Sequence, residues 1–271
     1  MDFDNMFGVE GKVVCVTGGG GGIGKGIAGA FVAGGARVYI ASRSDLTETA
    51  AELDALGSGE CIALRADLAE EDEIKKLAAE LTKREGKLDV LVNNAAIGYD
   101  IHFEDFPLNA WDKEMAVNVR APFALTRECL PLLTAAGTFE RHASVINIAS
   151  IDGLRIMSDN GWAYSASKAA LIHLTKHCAS LLGNNHARQA RSVEGGRHVT
   201  FNAVAPGPFP GMLDPILASE EGRALVAKVT VVGRAGRPEE VGAACVYLAS
   251  RAGAFVTGAV IPVDGGVLVR A

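Results

Sequence analysis

Tyr164 and Lys168 frame the stretch YSASK, and both are side chains that can move a proton. On a helix, positions i and i+4 share a face, so the ammonium can approach both the phenol and a nearby cofactor ribose, which places Tyr164 and Lys168 with the cofactor-binding residues as well. A free phenol loses its proton near pH ~10. A neighbouring ammonium favours the phenolate and lowers that value, which would make Tyr164 a better acid near neutral pH. The chemistry this implies is proton donation to a carbonyl oxygen. Ser150 ends ASVINIAS and offers a hydroxyl to hold that oxygen and steady a developing oxyanion. Asn118, in AVNVRAPF, adds an amide able to order a water beside Lys168. Each residue alone has an ordinary explanation as a helix-face or turn residue; their joint placement on successive elements argues for a site.

Those residues need elements to hold them. Apolar runs at 12–17, 37–42, 61–67, 89–94, 143–150, 199–206 and 258–266 read as strands. Helical spacing marks 23–35, 72–85, 108–134, 162–182 and 238–249. Continuous apolar strands that alternate with helices imply an α/β fold: a parallel sheet covered on both faces. No linker, repeat or low-complexity block divides residues 1–271, which read as one domain. In such a sheet, ligands sit outside the carboxyl ends of the strands.

TGGGGGIGKG (17–26) directly follows the first strand and opens the first helix. Gly18 would allow the tight turn. Gly22 and Gly24 would let backbone approach a pyrophosphate at the helix N-terminus. Ile23, between them, is counted with the cofactor-binding residues. The second strand ends in ASRS without the carboxylate that usually takes the ribose hydroxyls of NAD. Ser42 and Arg43 could instead bind a 2′-phosphate, which favours NADP(H), with NAD(H) as the alternative. Asp67 ends the third strand, where it could accept from an adenine amine or cap the next helix; Leu68 is placed with it at the cofactor. Asn94, in NNAA, could hold the ribose side of a cofactor or stabilise the turn.

TGGGGGIG, NNAA, the Asn in AVNVRAPF, Ser150, YSASK, APGPF and VTGAVIPVDGG fall in one order along residues 8 to 268. In that order the sequence resembles the short-chain dehydrogenase/reductase family in its short single-domain form, and within it reductases of 3-oxoacyl thioesters of the rhamnolipid-synthesis kind. The resemblance implies a seven-stranded, doubly wound Rossmann sheet and a catalytic tetrad of Asn118, Ser150, Tyr164 and Lys168. It implies hydride transfer between nicotinamide and a ketone or secondary alcohol, and assembly as a homotetramer. After Pro206-Gly207 a threonine often contacts the nicotinamide amide; Gly211 stands near that place, leaving backbone groups or Phe209 to do so.

Three strand-to-helix loops (97–107, 151–162 and 206–224) should surround the substrate. They carry Tyr99, Phe103, Leu154, Ile156, Met157, Trp162, Phe209, Met212 and Leu213, an apolar lining for a substrate with an apolar body. The third continues to about residue 232 as the substrate loop. Arg155 is expected at the surface rather than on an anionic tail. The basic stretch at about 183–198 joins a helix to a strand and reads as a solvated insertion away from the site.

A net charge of −6 argues against nucleic-acid or anionic-membrane partners. No run approaches the ~18 apolar residues of a membrane span, and the acidic opening MDFDNMFGVEGK lacks the pattern of a leader. Five scattered cysteines without a CxxC pair suggest reduced thiols, no metal site and a cytoplasmic setting. The expected function is an NADP(H)-dependent carbonyl reductase acting on a small molecule, either a 3-oxoacyl thioester or another ketone. The alternatives are an NAD-dependent alcohol or sugar dehydrogenase and, from another class, a non-catalytic cofactor-binding sensor or scaffold.

Overall fold

The computed structural model describes residues 3–183 and 197–270. Along the chain lie α1 (Phe3–Phe7), β1 (Val13–Thr17), α2 (Gly22–Ala33), β2 (Arg37–Ser42), α3 (Thr47–Asp54), β3 (Glu60–Arg65), α4 (Glu71–Glu85) and β4 (Val90–Asn93). Then come α5 (Leu108–Met115), α6 (Ala121–Ala136), β5 (Ala143–Ile148), α7 (Trp162–Leu182) and β6 (Val199–Pro206). The chain ends with α8 (Asp214–Leu217), α9 (Glu220–Val229), α10 (Pro238–Ala249) and β7 (Val260–Val263). The strands form one parallel seven-stranded sheet in the order β3-β2-β1-β4-β5-β6-β7. Chain order reverses between β1 and β4, which opens a crevice at their carboxyl ends.

Alternate strand residues point to opposite faces, and both faces are apolar here. Val14, Val16, Val38, Ile40 and Val92 meet Ile27 and Phe31 of α2 and Val241 and Leu248 of α10 on one side. Val13, Cys15, Tyr39, Leu91 and Val145 meet Leu77 and Leu81 of α4 and Leu125 and Leu132 of α6 on the other. All five cysteines are free, and four of them are buried. Burial pushes the Cys15 thiol up to about 12. Among the described residues no helix is long and apolar enough to cross a membrane, and no His/Cys/Asp/Glu group could hold a metal ion.

Several expected boundaries move. The helix expected over 108–134 is interrupted at Ala116–Arg120 by a π turn. The strand expected over 258–266 shortens to Val260–Val263, because Gly258, Gly265 and Gly266 take positive φ values of 72°, 61° and 85°. α3 was not foreseen: it buries only Ala50 and Leu53, too few for a clear apolar stripe. The segment from 206 to 232 is partly helical, carrying α8 and α9. Of the insertion expected at about 183–198, residues 184–196 lie outside the described residues.

Glycines let α2 and α10 approach closely. A Cβ on Gly26 would come 2.5 Å from the Pro238 carbonyl carbon, and one on Gly242 would come 2.7 Å from the Gly26 oxygen. Backbone cannot rotate out of such contacts, so Gly26→Ala should cost about 1–3 kcal/mol through overpacking. Urea unfolding would show this as a lower midpoint at unchanged slope; an unchanged midpoint would mean the helices are not in this contact.

Candidate active site

The carboxyl ends of the central strands open into a cleft of about 1330 Å³. That exceeds the ~300–1,000 Å³ of one small-ligand site and leaves room for a dinucleotide and a second small molecule.

One end is built from the glycine turn. Gly18 and Gly22 take positive φ values of 66° and 48°. A Cβ on Gly24 would collide with the Gly18 carbonyl oxygen, and one on Gly18 would come 3.0 Å from Ala95 Cα. No side chain caps the N-terminus of α2 at Gly21, so the first N–H groups of that helix remain donors for an anion. This cradle fits a dinucleotide pyrophosphate, and Ile23 lines the cleft beside it. Asn94 lines the cleft and is tied to the turn. Its Nδ2 donates to the carbonyls of Thr17 (2.8 Å) and Gly18 (3.1 Å), while its backbone N–H donates to Thr17 Oγ1 (2.9 Å). The side-chain amide nitrogen thus stabilises the turn.

Farther out, Ser42 and Arg43 line the cleft together with Asp67 and Leu68. The Ser42 hydroxyl accepts from the Ser44 N–H at 3.0 Å. Asp67 accepts from the Ala69 N–H at 3.0 Å, tying the turn after β3. Sequence reading missed Arg65, which pairs with Ser42 in the β2–β3 register and donates from Nε to the Arg43 carbonyl at 3.1 Å. The signal was its place at the end of the third strand, one strand over from Ser42.

Ser150, Tyr164 and Lys168 come together at the other end of the cleft. Ser150 follows β5 as the cap of a short 3-10 turn (Ile151–Gly153), and its Oγ accepts from the Asp152 N–H at 3.1 Å. Lys168 is only 2% exposed. Its Nζ donates to the Ile148 carbonyl at 2.8 Å and lies 5.5 Å from the Tyr164 ring centroid. Burial draws the ammonium down to about 8. Tyr164 moves opposite to expectation. Burial pushes its phenol up to about 12, the Ser150 hydroxyl pulls it down, and the Asp152 and Glu114 carboxyls add to the rise. The ammonium is turned onto the Ile148 carbonyl, and desolvation dominates the shift of the phenol.

Asn118 sits in the π turn and is 1% exposed. Its Oδ1 accepts from the Ile97 N–H (2.9 Å), and its Nδ2 donates to the Ile97 carbonyl (2.8 Å) and Ser167 Oγ (3.0 Å). Both amide hydrogens are bonded to protein, so the side chain clamps the loop at Ile97.

The apolar lining is narrower than expected. Tyr99, Met157, Phe209, Met212 and Leu213 line the cleft, joined by Ile216, Leu225 and Val229 of the α8–α9 segment. Phe103, Leu154, Ile156 and Trp162 do not. Phe103 and Trp162 stack edge to face at 5.0 Å, and the indole N–H donates to the Ile101 carbonyl at 3.2 Å. The Phe209 ring is buried against Gly236, where any Cβ would strike it. Arg155 donates to the Arg270 carbonyl at 3.0 Å, a surface role as expected.

Residues 18–268 match the family model described as enoyl-(acyl carrier protein) reductase. The chain is 39% identical over 264 residues to the rhamnolipids biosynthesis 3-oxoacyl-(acyl-carrier-protein) reductase of Pseudomonas aeruginosa, covering 96% of this chain and 97% of that one. It is 35% identical to the 2-dehydro-3-deoxy-D-gluconate 5-dehydrogenase of Bacillus subtilis, covering 98% of each. The fold superposes on the Pseudomonas aeruginosa RhlG/NADP active-site complex with a TM-score of 0.88 and 38% identity, over 97% of this chain and 98% of that one. Matched over nearly its whole length in both sequence and fold, the chain belongs to the short-chain dehydrogenase/reductase family, oxidoreductases that act on CH–OH and C=O groups with NAD or NADP.

Proposed function

We propose that the protein is an NADPH-dependent reductase of a ketone with a largely apolar body. One observation carries the reading: the Tyr164 phenol, with the Ser150 hydroxyl beside it and the buried Lys168 ammonium behind its ring, faces the same cleft as the uncapped N-terminus of α2. Bound NADPH supplies the hydride. Tyr164 holds the proton that goes to the carbonyl oxygen; with its pKa near 12 it stays loaded as an acid throughout the neutral range. Ser150 donates to the same oxygen and steadies its developing charge. Lys168 provides the positive charge behind the ring. Asn118 keeps the loop above the site in place.

Ser42 and Arg43, without a carboxylate at the end of β2, support the choice of NADP over NAD, and the Arg65 contact holds the Arg43 backbone there. The apolar side chains of the segment at 206–232 support its role as the substrate loop. A 3-oxoacyl thioester fits that lining and agrees with the Pseudomonas relative. A homotetramer is the assembly proposed. Trp111 and Phe123 are 38% and 49% exposed on α5 and α6, beside a groove formed with Met115, Val119 and Leu174. Light scattering that gave a monomer would remove the tetramer.

The decisive experiment follows NADPH and NADH oxidation over acetoacetyl-CoA, a longer 3-oxoacyl thioester, a cyclic diketone and a ketose, with Tyr164→Phe alongside. Turnover with NADPH should fall by about 10²–10⁴-fold in the variant, the usual worth of a general acid, with cofactor affinity retained. Faster turnover with NADH would overturn the reading of Ser42 and Arg43. Binding without turnover on any ketone would favour a cofactor sensor.

The pH profile gives a second test. Lys168, drawn down to about 8, is charged below that pH and neutral above it. Because kcat/KM reports groups of the free enzyme, reductase kcat/KM should be level in mildly acidic solution and decline as pH rises through about 8. A level profile through that range would show that the ammonium charge contributes nothing.

A further inference from the structure

Glu114 on α5 is 0% exposed, yet the site as described gives it no task. Its Oε1 accepts from the Tyr99 N–H at 2.9 Å. Its Oε2 is buried and meets no hydrogen-bond partner among the described residues. A buried carboxylate with a free oxygen is costly, and an orphan polar atom calls for a reason. Burial pushes the carboxyl above its ordinary range, against the smaller pull of the Tyr99 N–H. Burial therefore favours the protonated carboxyl over the carboxylate at this place.

What it holds is the point of interest. Asn118, farther along the same helical run, grips Ile97 by both its N–H and its carbonyl. Glu114 grips Tyr99. The two side chains pin a short segment at both ends, and Gly98 lies between them. A Cβ there would come 3.0 Å from Tyr164 Cδ2 and 2.9 Å from Met212 Cε. The pinned backbone thus lies directly against the Tyr164 ring.

We propose that Glu114 is a positioning residue for the reaction, acting through the Ile97–Tyr99 segment to fix the Tyr164 ring where its phenol can meet the substrate carbonyl. The proposal rests on the reading of Tyr164 as the proton donor. It explains why an ionisable side chain occupies a site that an apolar residue would otherwise fill: the Tyr99 N–H is held by an acceptor, and leucine would leave it orphaned.

The test uses the purified full chain with NADPH and whichever ketone the wild type turns over fastest. Glu114→Gln keeps an acceptor for Tyr99 and cannot ionise. Glu114→Leu removes the acceptor. The glutamine variant should keep close to wild-type kcat. The leucine variant should lose about 10–100-fold in kcat, the scale set by an ångström-sized misplacement, while NADPH affinity by fluorescence titration stays the same. Wild-type kcat in the leucine variant would overturn the proposal, as would a glutamine variant as slow as the leucine one. If Glu114→Leu does not fold, Gly98→Ala probes the same link from its other end. It leaves Glu114 intact, presses a methyl on the ring and should lower kcat likewise; unchanged kcat there would also overturn the proposal. Turnover that survives Tyr164→Phe would strike the underlying reading instead.

Discussion

The site depends on how closely the turn after β1 approaches the end of β4. Thr17 and Asn94 bind each other's backbone and side chains, and no Cβ fits at Gly24 against the Gly18 carbonyl. That knot closes the central sheet at the point where chain order reverses. It fixes where α2 begins, and so where its unpaired N–H groups point. It also fixes Ala95 and the segment after it, which runs on to Ile97 and Tyr99. Phosphate cradle and reaction centre therefore share one backbone support, and moving one would move the other.

Burial then sets the electrostatics. The same low-dielectric wall raises the Tyr164 phenol and lowers the Lys168 ammonium, because each shift favours a neutral form. The pair is not a tight ion pair: Nζ is held by the Ile148 carbonyl, and only its field reaches the ring. Such an arrangement keeps the phenol protonated in the neutral range. The carboxyls of Asp152 and Glu114 push in the same direction.

Much of this could be read from residue types and spacing. Seven apolar runs became seven strands, and Gly18 and Gly22 adopt the left-handed backbone that their place between strand and helix demands. The spacing of YSASK put Tyr164 and Lys168 on one helix face. What was not legible was how amides and carboxyls are spent. The partners of Asn94 lie on β1, and those of Asn118 lie on a loop and on α7, so their use depends on which strand ends become neighbours. Glu114, in WDKEMAV, has the look of a solvated helix residue until the loop folds over it. Phe103 and Trp162 satisfy each other outside the cleft, a pairing between segments far apart in sequence.

The π turn at Ala116–Arg120 carries an implication for how such a chain can change over time. It holds one residue more than an α-helical turn, and it joins α5 to α6 without a break. Such a turn takes up its extra residue locally, so deleting it would restore regular helix and leave Leu125, Cys129 and Leu132 facing the sheet. Only the turn itself would be redrawn, and with it the aim of Asn118 at Ile97. The turn is therefore a place where chain length can change at the expense of the site alone, while the core behind it keeps its packing.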